Sequence, residues 1–362
     1  MKMKAAVLHG AKEKLDVVEV DVAGPQAHEV LVKVVGSGVC GTDLHAVEGD
    51  RHNIYGYPLV PGHEAAGIVE EVGPGVTAVT PGDHILVNLM PGCGTCHQCC
   101  LGNTRGCRNT KPGRMLDGTT RMTLGGEPVF QMAFVGSFAE YLVVPERGCV
   151  PIQKTVPLKA ASLISCGVAT GWSAVYYIAQ VKPGATSVVF GCGGVGLNVI
   201  QCLKLAHATT IIAVDISAPK LQTARSFGAT HTVDALAVDP VEAVRDITGG
   251  GADYSFEVIS GSRTVKQAFD ATCPGGMLTV VGVTPDGDEV TIPAGIRKTV
   301  TSGGWSHINA WRDFPLLIDL YVSGALKVEE LISKYRPLAE VNEALDDLRS
   351  GSVARTVLTP HG

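Results

Sequence analysis

The sequence predicts an α/β protein in which a doubly wound parallel sheet accompanies a separate β-rich, barrel-like domain. The first 150 residues hold many Gly and Pro turns between short β-rich runs such as 30–35 and 68–72, a rhythm typical of an all-β domain. From about Gly184 apolar runs alternate with helical stretches instead, which favours parallel strands joined by helices. A length of 362 residues is long for one core and supports two domains.

Apolar runs in the second half of the chain mark the strands of the predicted parallel sheet. Stretches with helical character separate the runs at residues 187–190, 210–214, 230–233, 254–258, 277–283 and 299–303. Helical patterns follow at 314–323 and 338–350, and the chain closes with a strand-like run at 355–358. Strands that alternate with helices in this way build a sheet with helices on both faces.

Charge and composition argue against several classes of partner. With 29 basic and 35 acidic residues the formal net charge is −6, so we expect neither nucleic acid nor an anionic membrane as the main partner. Residues 160–181 carry no charge and are long enough to span a bilayer. Because Ser, Thr, Gln and Gly residues dilute this stretch, we expect a buried loop and helix there and no membrane partner.

The N-terminal segment and the cysteines together indicate a compartment. The segment leads straight into an apolar alternation and lacks the pattern of a signal peptide. We therefore expect a cytoplasmic protein. In that reducing compartment the eleven cysteines are expected to be thiols or metal ligands rather than disulfides.

A tight group of four cysteines is the strongest local signal. Two residues separate each of the first three, and seven separate the third from the fourth, at Cys93, Cys96, Cys99 and Cys107. Short Cys-x2-Cys steps bring thiolates together, and four sulfurs fill the tetrahedral shell of a structural zinc ion. Disulfides and an iron–sulfur cluster remain the alternatives. Cys100 is expected to be a bystander, because neighbouring side chains point apart.

A glycine-rich turn between a strand and a helix is the second signal. The stretch Gly191-Cys192-Gly193-Gly194-Val195-Gly196 follows the run 188–190 and precedes the helical stretch 197–205, a context typical of dinucleotide binding at a helix N-terminus. Asp215 ends the next strand, 19 residues after Gly196. A carboxylate there accepts hydrogen bonds from ribose hydroxyls and repels a 2′-phosphate, which predicts NAD rather than NADP. A glycine-rich turn beside a solvated aspartate is the alternative.

Scattered residues offer a second metal set. Cys40, His63 and Cys166 come from three separate segments. Taken singly, a buried Cys is usually a small apolar side chain, and a lone His is usually a hydrogen-bonded core residue. Two thiolates and one imidazole together would leave the fourth zinc position open, as a catalytic zinc ion requires.

Together these motifs resemble one enzyme family. Gly-Val-Cys-Gly-Thr-Asp-Leu-His at 38–45, Gly-His-Glu at 62–64, the cysteine lobe at about 91–109 and the nucleotide fingerprint occur in the order of the zinc-containing medium-chain alcohol dehydrogenases, members of the medium-chain dehydrogenase/reductase superfamily. The stretches 117–121 and 138–141 are most similar to the branch with the dimeric alcohol and the glutathione-dependent formaldehyde dehydrogenases.

The resemblance implies how the chain is divided and what it binds. It implies a Rossmann NAD-binding domain at residues 168–304, inserted into a GroES-like barrel catalytic domain that both chain ends form, at 1–167 and 305–362. It also implies two zinc ions per chain, NAD, an alcohol or aldehyde substrate, and a homodimer or homotetramer.

The resemblance further implies roles at the second metal set. Cys40, His63 and Cys166 match the ligands of catalytic zinc. Glu64 matches an acidic neighbour that approaches the metal, and Asp43 matches a carboxylate that orients the ligating imidazole.

Substrate and cofactor positions are implied in the same way. Thr42 matches the hydroxyl that hydrogen-bonds the substrate oxygen, and His45 matches the outer end of a proton relay. The cofactor contacts fall on the fingerprint and on three charged residues beyond it: Gly191, Gly193, Gly194, Val195, Gly196, Asp215, Lys220 and Arg355. Among them, Lys220 resembles a basic position that contacts the ribose, and Arg355 resembles one that contacts the pyrophosphate.

The chain departs from its relatives at several of these positions. Gly41 stands where many relatives carry a basic or bulky residue near the pyrophosphate, which predicts looser cofactor binding unless another group compensates. Leu89 replaces an aromatic residue of the substrate channel, and Met132 and Ala133 fall in the region that lines the rest of it. These residues predict a wider apolar pocket for bulky, allylic or aromatic alcohols; the alternative is that other side chains refill the space.

The implied activity is the reversible oxidation of primary alcohols to aldehydes by hydride transfer to NAD, with zinc as the Lewis acid. Lys111 falls near an anion-binding position of the glutathione-dependent branch, but Arg51 stands where acidic residues are expected. Glutathione adducts are therefore disfavoured. A thiol-adduct formaldehyde dehydrogenase remains the alternative enzyme, and a non-catalytic redox sensor that binds NAD and zinc is the alternative of another class.

Overall fold

The computed structural model describes residues 1–49, 53–283, 286–293, 295 and 297–362. By the proximity of their Cα atoms the residues form two compact units. The first unit holds Met1–Cys166, Asn309–Gly324 and Val328–Gly362, and the second unit holds Gly167–Ile308 and Ala325–Lys327.

Strands and helices are numbered here in chain order over the described residues. The strands are β1 Lys2–Val7, β2 Asp16–Val22, β3 Glu29–Gly38, β4 Leu59–Val60, β5 Glu64–Val72, β6 His84–Val87, β7 Met122–Leu124, β8 Glu127–Gln131, β9 Tyr141–Pro145, β10 Cys149–Ile152, β11 Thr186–Phe190, β12 Thr210–Asp215, β13 His231–Asp234, β14 Ala252–Glu257, β15 Thr272–Val280, β16 Thr299–Ser302, β17 Ile332–Pro337 and β18 Arg355–Thr359. The α-helices are α1 Gly41–Glu48, α2 His97–Cys100, α3 Leu158–Ala161, α4 Gly167–Trp172, α5 Gly194–Leu205, α6 Ala218–Phe227, α7 Pro240–Thr248, α8 Ser262–Ala271, α9 Ala310–Val322 and α10 Val341–Arg349.

The first unit is built from two sheets. One has the strand order β1-β2-β7-β8-β4, and the other has the order β10-β6-β5-β3-β18-β17 with β9 also paired to β3. The long strand β3 shifts register against β5 between Leu31 and Val32 and again between Val34 and Gly36. Such bulges bend a strand and increase its twist, so this sheet curls around its core. The predicted β-rich, barrel-like domain is confirmed.

The second unit is a six-stranded sheet in the order β13-β12-β11-β14-β15-β16, and all of its pairings are parallel. The strands read as apolar runs because helices cover both faces of such a sheet. Val188, Ile212, Val214 and Leu278 are among the buried residues at its centre. The strand order reverses between β11 and β14, which is where open α/β sheets bind ligands. The predicted doubly wound parallel sheet is confirmed.

The uncharged stretch 160–181 is buried over most of its length, and helical turns replace the predicted loop. After α3 come a 3-10 turn at Ser162–Ser165, the helix α4 and a π-helical segment at Ser173–Ile178. Within the described ranges no single helix is long and apolar enough to cross a membrane. The bent pair Leu158–Ser165 and Gly167–Ile178 passes that test together, by length and composition only.

Candidate active site

Four potential metal ligands converge in the first unit. One ligand atom from each of Cys40, His63, Glu64 and Cys166 lies within 4.8 Å of the others. Cys40 directly precedes α1, and Cys166 follows the turn Ser162–Ser165. Glu64 begins β5, and His63 directly precedes it. The fold thus joins residues that are far apart in sequence. Two sulfurs and one imidazole, with a carboxylate beside them, fit the donor set of a catalytic zinc ion.

Asp43 ties two of these residues to helix α1. Its Oδ1 lies 2.9 Å from His63 Nδ1 and accepts the Gly62 N–H at 3.1 Å. Its Oδ2 accepts the Cys40 N–H at 2.9 Å. Because Asp43 occupies one ring nitrogen, His63 Nε2 is the nitrogen left for a metal ion. The buried carboxylate therefore sets the orientation of the imidazole and the position of the Cys40 backbone together.

A hydrogen bond and two nearby positive charges favour the thiolate form of Cys40. The pKa of Cys40 lies well below its usual value, chiefly because the Cys166 thiol donates to its sulfur. Burial opposes this shift, while Arg355 and His63 support it. For His63, burial alone would lower the pKa, but Asp43 and Cys40 raise it well above its usual value. A metal ion displaces such protons, since it binds the thiolate and the neutral imidazole.

Glu64 and Arg355 lie next to each other in a buried position beside the cysteines. Arg355 Nη2 lies 3.7 Å from Glu64 Oε1. Among the described residues, both Glu64 oxygens and the Nε and Nη2 atoms of Arg355 have no hydrogen-bond partner. Burial raises the pKa of Glu64 to about 8, although Arg355 opposes the shift. Buried polar atoms without partners are rare in folded proteins, and here they face a group of metal ligands.

The pairing of Arg355 with Glu64 was missed by the sequence analysis, which assigned Arg355 to the pyrophosphate. Arg355 is only 3% exposed and begins the fully buried strand β18. A charged residue at the start of a predicted strand was the available signal. The partner itself depends on the tertiary fold.

Thr42 and His45 lie three residues apart on α1, a spacing that places them on one face of a helix. Thr42 Oγ1 is 4.0 Å from Cys40 Sγ, so its hydroxyl stands beside the ligand group. Both side chains are half-buried. Gly41, the first residue of α1, has open space where a side chain would begin.

The four-cysteine lobe forms a second group of metal ligands. The sulfurs of Cys93, Cys96, Cys99 and Cys107 lie within 4.8 Å of one another. Gly92 has a φ of 62°, and a Cβ on it would lie 2.7 Å from Cys99 Sγ, so only glycine fits beside the sulfurs. Four thiolates complete a tetrahedral shell and leave no position for a substrate, which fits a structural zinc ion.

Hydrogen bonds prepare this lobe for a cation. The backbone N–H and hydroxyl of Thr95 lower the pKa of Cys93 to about 5, and Asn109 Nδ2 donates to the same sulfur at 3.4 Å. In contrast, burial raises the pKa of Cys99 to about 12. Thr95 and Asn109 could not be predicted from the sequence, because polar residues in a loop carry no distinctive pattern. Cys100 is exposed, and its sulfur faces the carbonyl groups of Gly94 and Thr95.

The glycine fingerprint of the second unit joins β11 to α5. Gly191 has a φ of 101°, a conformation that favours glycine. A Cβ on Gly196 would overlap the Gly191 carbonyl oxygen, whereas Gly193 faces open space. Helix α5 begins at Gly194 and includes the half-buried Val195. The loop therefore leaves a cradle at a helix N-terminus, which fits a pyrophosphate.

Asp215 ends β12 with both carboxylate oxygens engaged. Oδ2 accepts the Cys192 N–H of the fingerprint at 2.8 Å, and Oδ1 accepts the Ser217 N–H at 2.9 Å. The structure thus brings Asp215 directly against the glycine loop. Lys220 is half-buried in the first turn of α6, five residues further along the chain.

The predicted substrate-pocket residues Leu89, Met132 and Ala133 are all buried in the first unit. Ala133 and Phe134 both have positive φ angles, 51° and 60°, which non-glycine residues seldom adopt. Gln131 Nε2 donates to the Phe134 carbonyl at 2.8 Å and thereby supports this turn. Lys111 Nζ lies 3.1 Å from the position of a Cβ on Gly118. Arg51 falls outside the described residues.

Two family models match most of the chain. The model described as "Alcohol dehydrogenase GroES-like domain" matches residues 26–154, and the model described as "Zinc-binding dehydrogenase" matches residues 194–323. The first match holds Cys40, His63 and the cysteine lobe, and the second begins within the glycine fingerprint.

Whole-chain comparisons point the same way. The chain is 40% identical to the S-(hydroxymethyl)glutathione dehydrogenase of Saccharomyces cerevisiae, over 99% of this chain and 96% of that protein. It is 37% identical to the NDMA-dependent alcohol dehydrogenase of Amycolatopsis methanolica, over 99% of each chain. The crystal structure of benzyl alcohol dehydrogenase from Acinetobacter calcoaceticus matches with a TM-score of 0.92 and 30% identity, over 99% of each chain.

These matches confirm the family and the enzyme class that the motifs predict. The structure adds two candidate zinc sites, one of four cysteines and one of cysteines, histidine and glutamate. The chain therefore belongs to the zinc-containing alcohol dehydrogenases of the medium-chain dehydrogenase/reductase superfamily, and it is a zinc-dependent oxidoreductase that acts on CH–OH groups.

Proposed function

We propose that this enzyme reversibly oxidises primary alcohols, among them bulky, allylic and aromatic ones, to aldehydes with NAD. The observation that carries the proposal is the convergence of Cys40, His63 and Cys166 beside the Thr42 hydroxyl. When bound, zinc supplies a Lewis acid for the substrate oxygen, and NAD supplies the hydride acceptor. The chain's own residues supply ligation, orientation and a route for the proton.

Proton movement is assigned to two residues of α1. Thr42 Oγ1, next to the ligand group, would accept the proton of the substrate hydroxyl and pass on its own hydroxyl proton. The half-buried His45, at the outer end of the relay, would take up that proton and release it to solvent. Replacing His45 with Gln should slow turnover mainly at low pH, where an imidazole is needed as the base. A pH–rate profile identical to that of the wild type would remove His45 from the relay.

Cofactor binding is assigned to the second unit. The fingerprint Gly191–Gly196 receives the pyrophosphate, and Asp215 with Lys220 receives the adenosine ribose. Arg355 retains the predicted pyrophosphate contact as a proposal, and its observed partner is Glu64. Titration with NADH and with NADPH tests the role of Asp215, because a carboxylate at the end of β12 repels a 2′-phosphate. Tighter binding of NADPH would contradict that role.

Assembly and compartment complete the proposal. We assign the catalytic domain to residues 1–167 and 305–362 and the NAD-binding domain to 168–304. The enzyme is expected to be a cytoplasmic homodimer or homotetramer that assembles through the NAD-binding domain. None of the eleven cysteines forms a disulfide, which is in keeping with a reducing compartment. Light scattering of the purified enzyme measures its oligomeric state, and a monomer would contradict this part of the proposal.

Substrate size is assigned to the buried pocket residues. Leu89, Met132 and Ala133 combine small and flexible apolar side chains, and a relative of known structure is a benzyl alcohol dehydrogenase. NADH formation from short, long-chain, allylic and aromatic alcohols tests the assignment. Leu89→Phe should raise KM for benzyl alcohol and leave KM for ethanol nearly unchanged. Equal effects on both alcohols would place Leu89 outside the pocket.

A second candidate function comes from the yeast relative. That protein, 40% identical to this chain, is an S-(hydroxymethyl)glutathione dehydrogenase. The same alcohol panel is therefore run with and without glutathione and formaldehyde. Rapid turnover of free aromatic alcohols without a thiol supports the alcohol assignment. Turnover only with glutathione and formaldehyde would favour the thiol-adduct reaction.

A further inference from the structure

A buried glutamate occupies the carboxyl end of β14. Glu257 is the last residue of that strand and is 0% exposed. It pairs in register with Phe190, the last residue of β11, directly before Gly191. Since the strand order reverses between β11 and β14, the crevice for a ligand opens outside these two strand ends. Glu257 therefore stands at the base of the crevice that the proposed NAD site uses.

One oxygen of Glu257 holds the turn that follows the strand. Oε1 accepts the Ile259 N–H at 3.0 Å, the Ser260 N–H at 2.9 Å and the Thr264 hydroxyl at 2.7 Å. Ser260 has a φ of 84°, in the left-handed region that a non-glycine residue adopts only at a steric cost. Because three hydrogen bonds converge on this one oxygen, Glu257 stabilises a backbone shape that the turn would otherwise avoid.

The same turn fills the space between two glycines of the crevice. A Cβ on Gly191 would lie 2.6 Å from Ile259 Cγ1, and a Cβ on Gly282 would lie 2.6 Å from the Ser260 nitrogen and 2.9 Å from Glu257 Oε2. Oε2 is buried and has no hydrogen-bond partner among the described residues. The turn therefore packs directly against the fingerprint on one side and against the end of β15 on the other.

We propose that Glu257 is a positioning residue for the cofactor. It holds the turn from Val258 to Gly261 in the one shape that packs against both Gly191 and Gly282, and it thereby builds the wall of the nucleotide crevice. It acts through the turn and does not touch the cofactor. The inference rests on the proposed use of NAD, and it adds a residue that neither the fingerprint nor the metal sites contain.

The test replaces Glu257 with Ala and with Gln in the zinc-loaded enzyme. A control at the opposite end of the same strand is Asp253→Ala, because Asp253 Oδ2 also accepts a backbone N–H and a hydroxyl, both from Thr186. NADH affinity is measured by the fluorescence of the bound cofactor, KM for NAD and for benzyl alcohol by steady-state kinetics, and Tm by thermal unfolding.

We expect Glu257→Ala to weaken NADH binding about tenfold and to raise KM for NAD similarly, since three hydrogen bonds to one oxygen are lost. KM for benzyl alcohol should change by less than about twofold, because the turn lies in the NAD-binding unit. Glu257→Gln keeps an accepting oxygen and should recover NADH affinity to within about threefold of the wild type. Asp253→Ala should lower Tm and leave NADH affinity unchanged.

Wild-type NADH affinity in Glu257→Ala, with a Tm lowered as in Asp253→Ala, would overturn the inference and leave the proposed function intact. Failure of the wild-type enzyme itself to bind NADH would contradict the proposed function and with it this inference. If Glu257→Ala does not fold, Thr264→Val decides, because it removes one of the three donors. About threefold weaker NADH binding in that variant supports the inference, and unchanged binding overturns it.

Discussion

The carboxylate of Asp43 is expected to decide whether the metal at Cys40 and His63 is retained. In Asp43→Asn one oxygen must replace two. The native Oδ2 accepts the Cys40 N–H, and Oδ1 accepts the Gly62 N–H and contacts His63 Nδ1. Whichever way the amide turns, its NH2 group faces another N–H, and a buried unpaired donor costs about 1–3 kcal/mol. Loss of a partner of a ligating histidine typically lowers metal affinity by about 10–100-fold, which is about 1.4–2.8 kcal/mol.

Zinc per chain after dialysis against graded chelator measures this effect. Asp43→Asn should lose zinc at about 10–100-fold lower chelator concentration than the wild type, and only from one of two sites. Activity should fall in parallel. Glu29→Gln is the matched control, because Glu29 is also buried and accepts its hydrogen bonds from Gln26 and Arg121. Wild-type chelator resistance in Asp43→Asn would refute the reasoning.

Three other changes test separate parts of the molecule. Gly196→Ala places a Cβ against the Gly191 carbonyl oxygen. NADH affinity, measured by fluorescence titration, should therefore fall by at least about tenfold, while both zinc ions are retained. Unchanged NADH affinity would contradict the requirement for glycine at this position. Burial alone would raise the pKa of Asp117, but the hydrogen bond from Arg121 lowers it to about 2. The pair therefore stabilises the folded state at any pH above the pKa of the unfolded chain, about 4. This stabilisation is lost as the pH falls from about 4 to 2. Asp117→Asn should therefore lower the free energy of unfolding by about 1 kcal/mol at pH 7, after discounting for the 40% exposed Asp117 side chain. The loss should be clearly smaller at pH 3. Equal losses at both pH values in urea unfolding would contradict the role of this pair. Ala133→Gly relieves about 1 kcal/mol of left-handed strain against a similar entropic cost, so Tm should hardly move, whereas Ala133→Val should lower it.

Periodicity predicted the parallel sheet well, because its strands are buried on both faces and read as continuous apolar runs. The ends of the strands were less visible. β15 begins at Thr272, before the predicted start at 277, because Cys273-Pro274-Gly275-Gly276 interrupts the apolar pattern while Thr272 still pairs with Ala252. Helix α1 was not predicted at all. Only Leu44, Ala46 and Val47 of its eight residues are apolar, which is too few to form the apolar stripe that indicates a helix.

The two metal sites differ in how far local sequence reveals them. Cys-x2-Cys spacing alone indicates the four-cysteine lobe, since its sulfurs converge within one loop. Cys40, His63 and Cys166 each carry only a weak local signal, and the family resemblance is what gave them roles, because three separate segments must fold before their ligand atoms approach within 4.8 Å. The contact between Glu64 and Arg355 escaped prediction for the same reason, as it depends on how β5 and β18 flank β3.

The scattered ligands Cys40, His63 and Cys166 are expected to hold the reacting zinc ion, and the four-cysteine lobe a structural one. The most direct test measures zinc per chain and NADH formation from benzyl alcohol in the wild type and in Cys40→Ser. We expect two zinc ions and activity in the wild type, and one zinc ion, an intact fold and no activity in the variant. Full activity in Cys40→Ser, or a single zinc ion per active wild-type chain, would contradict the claim.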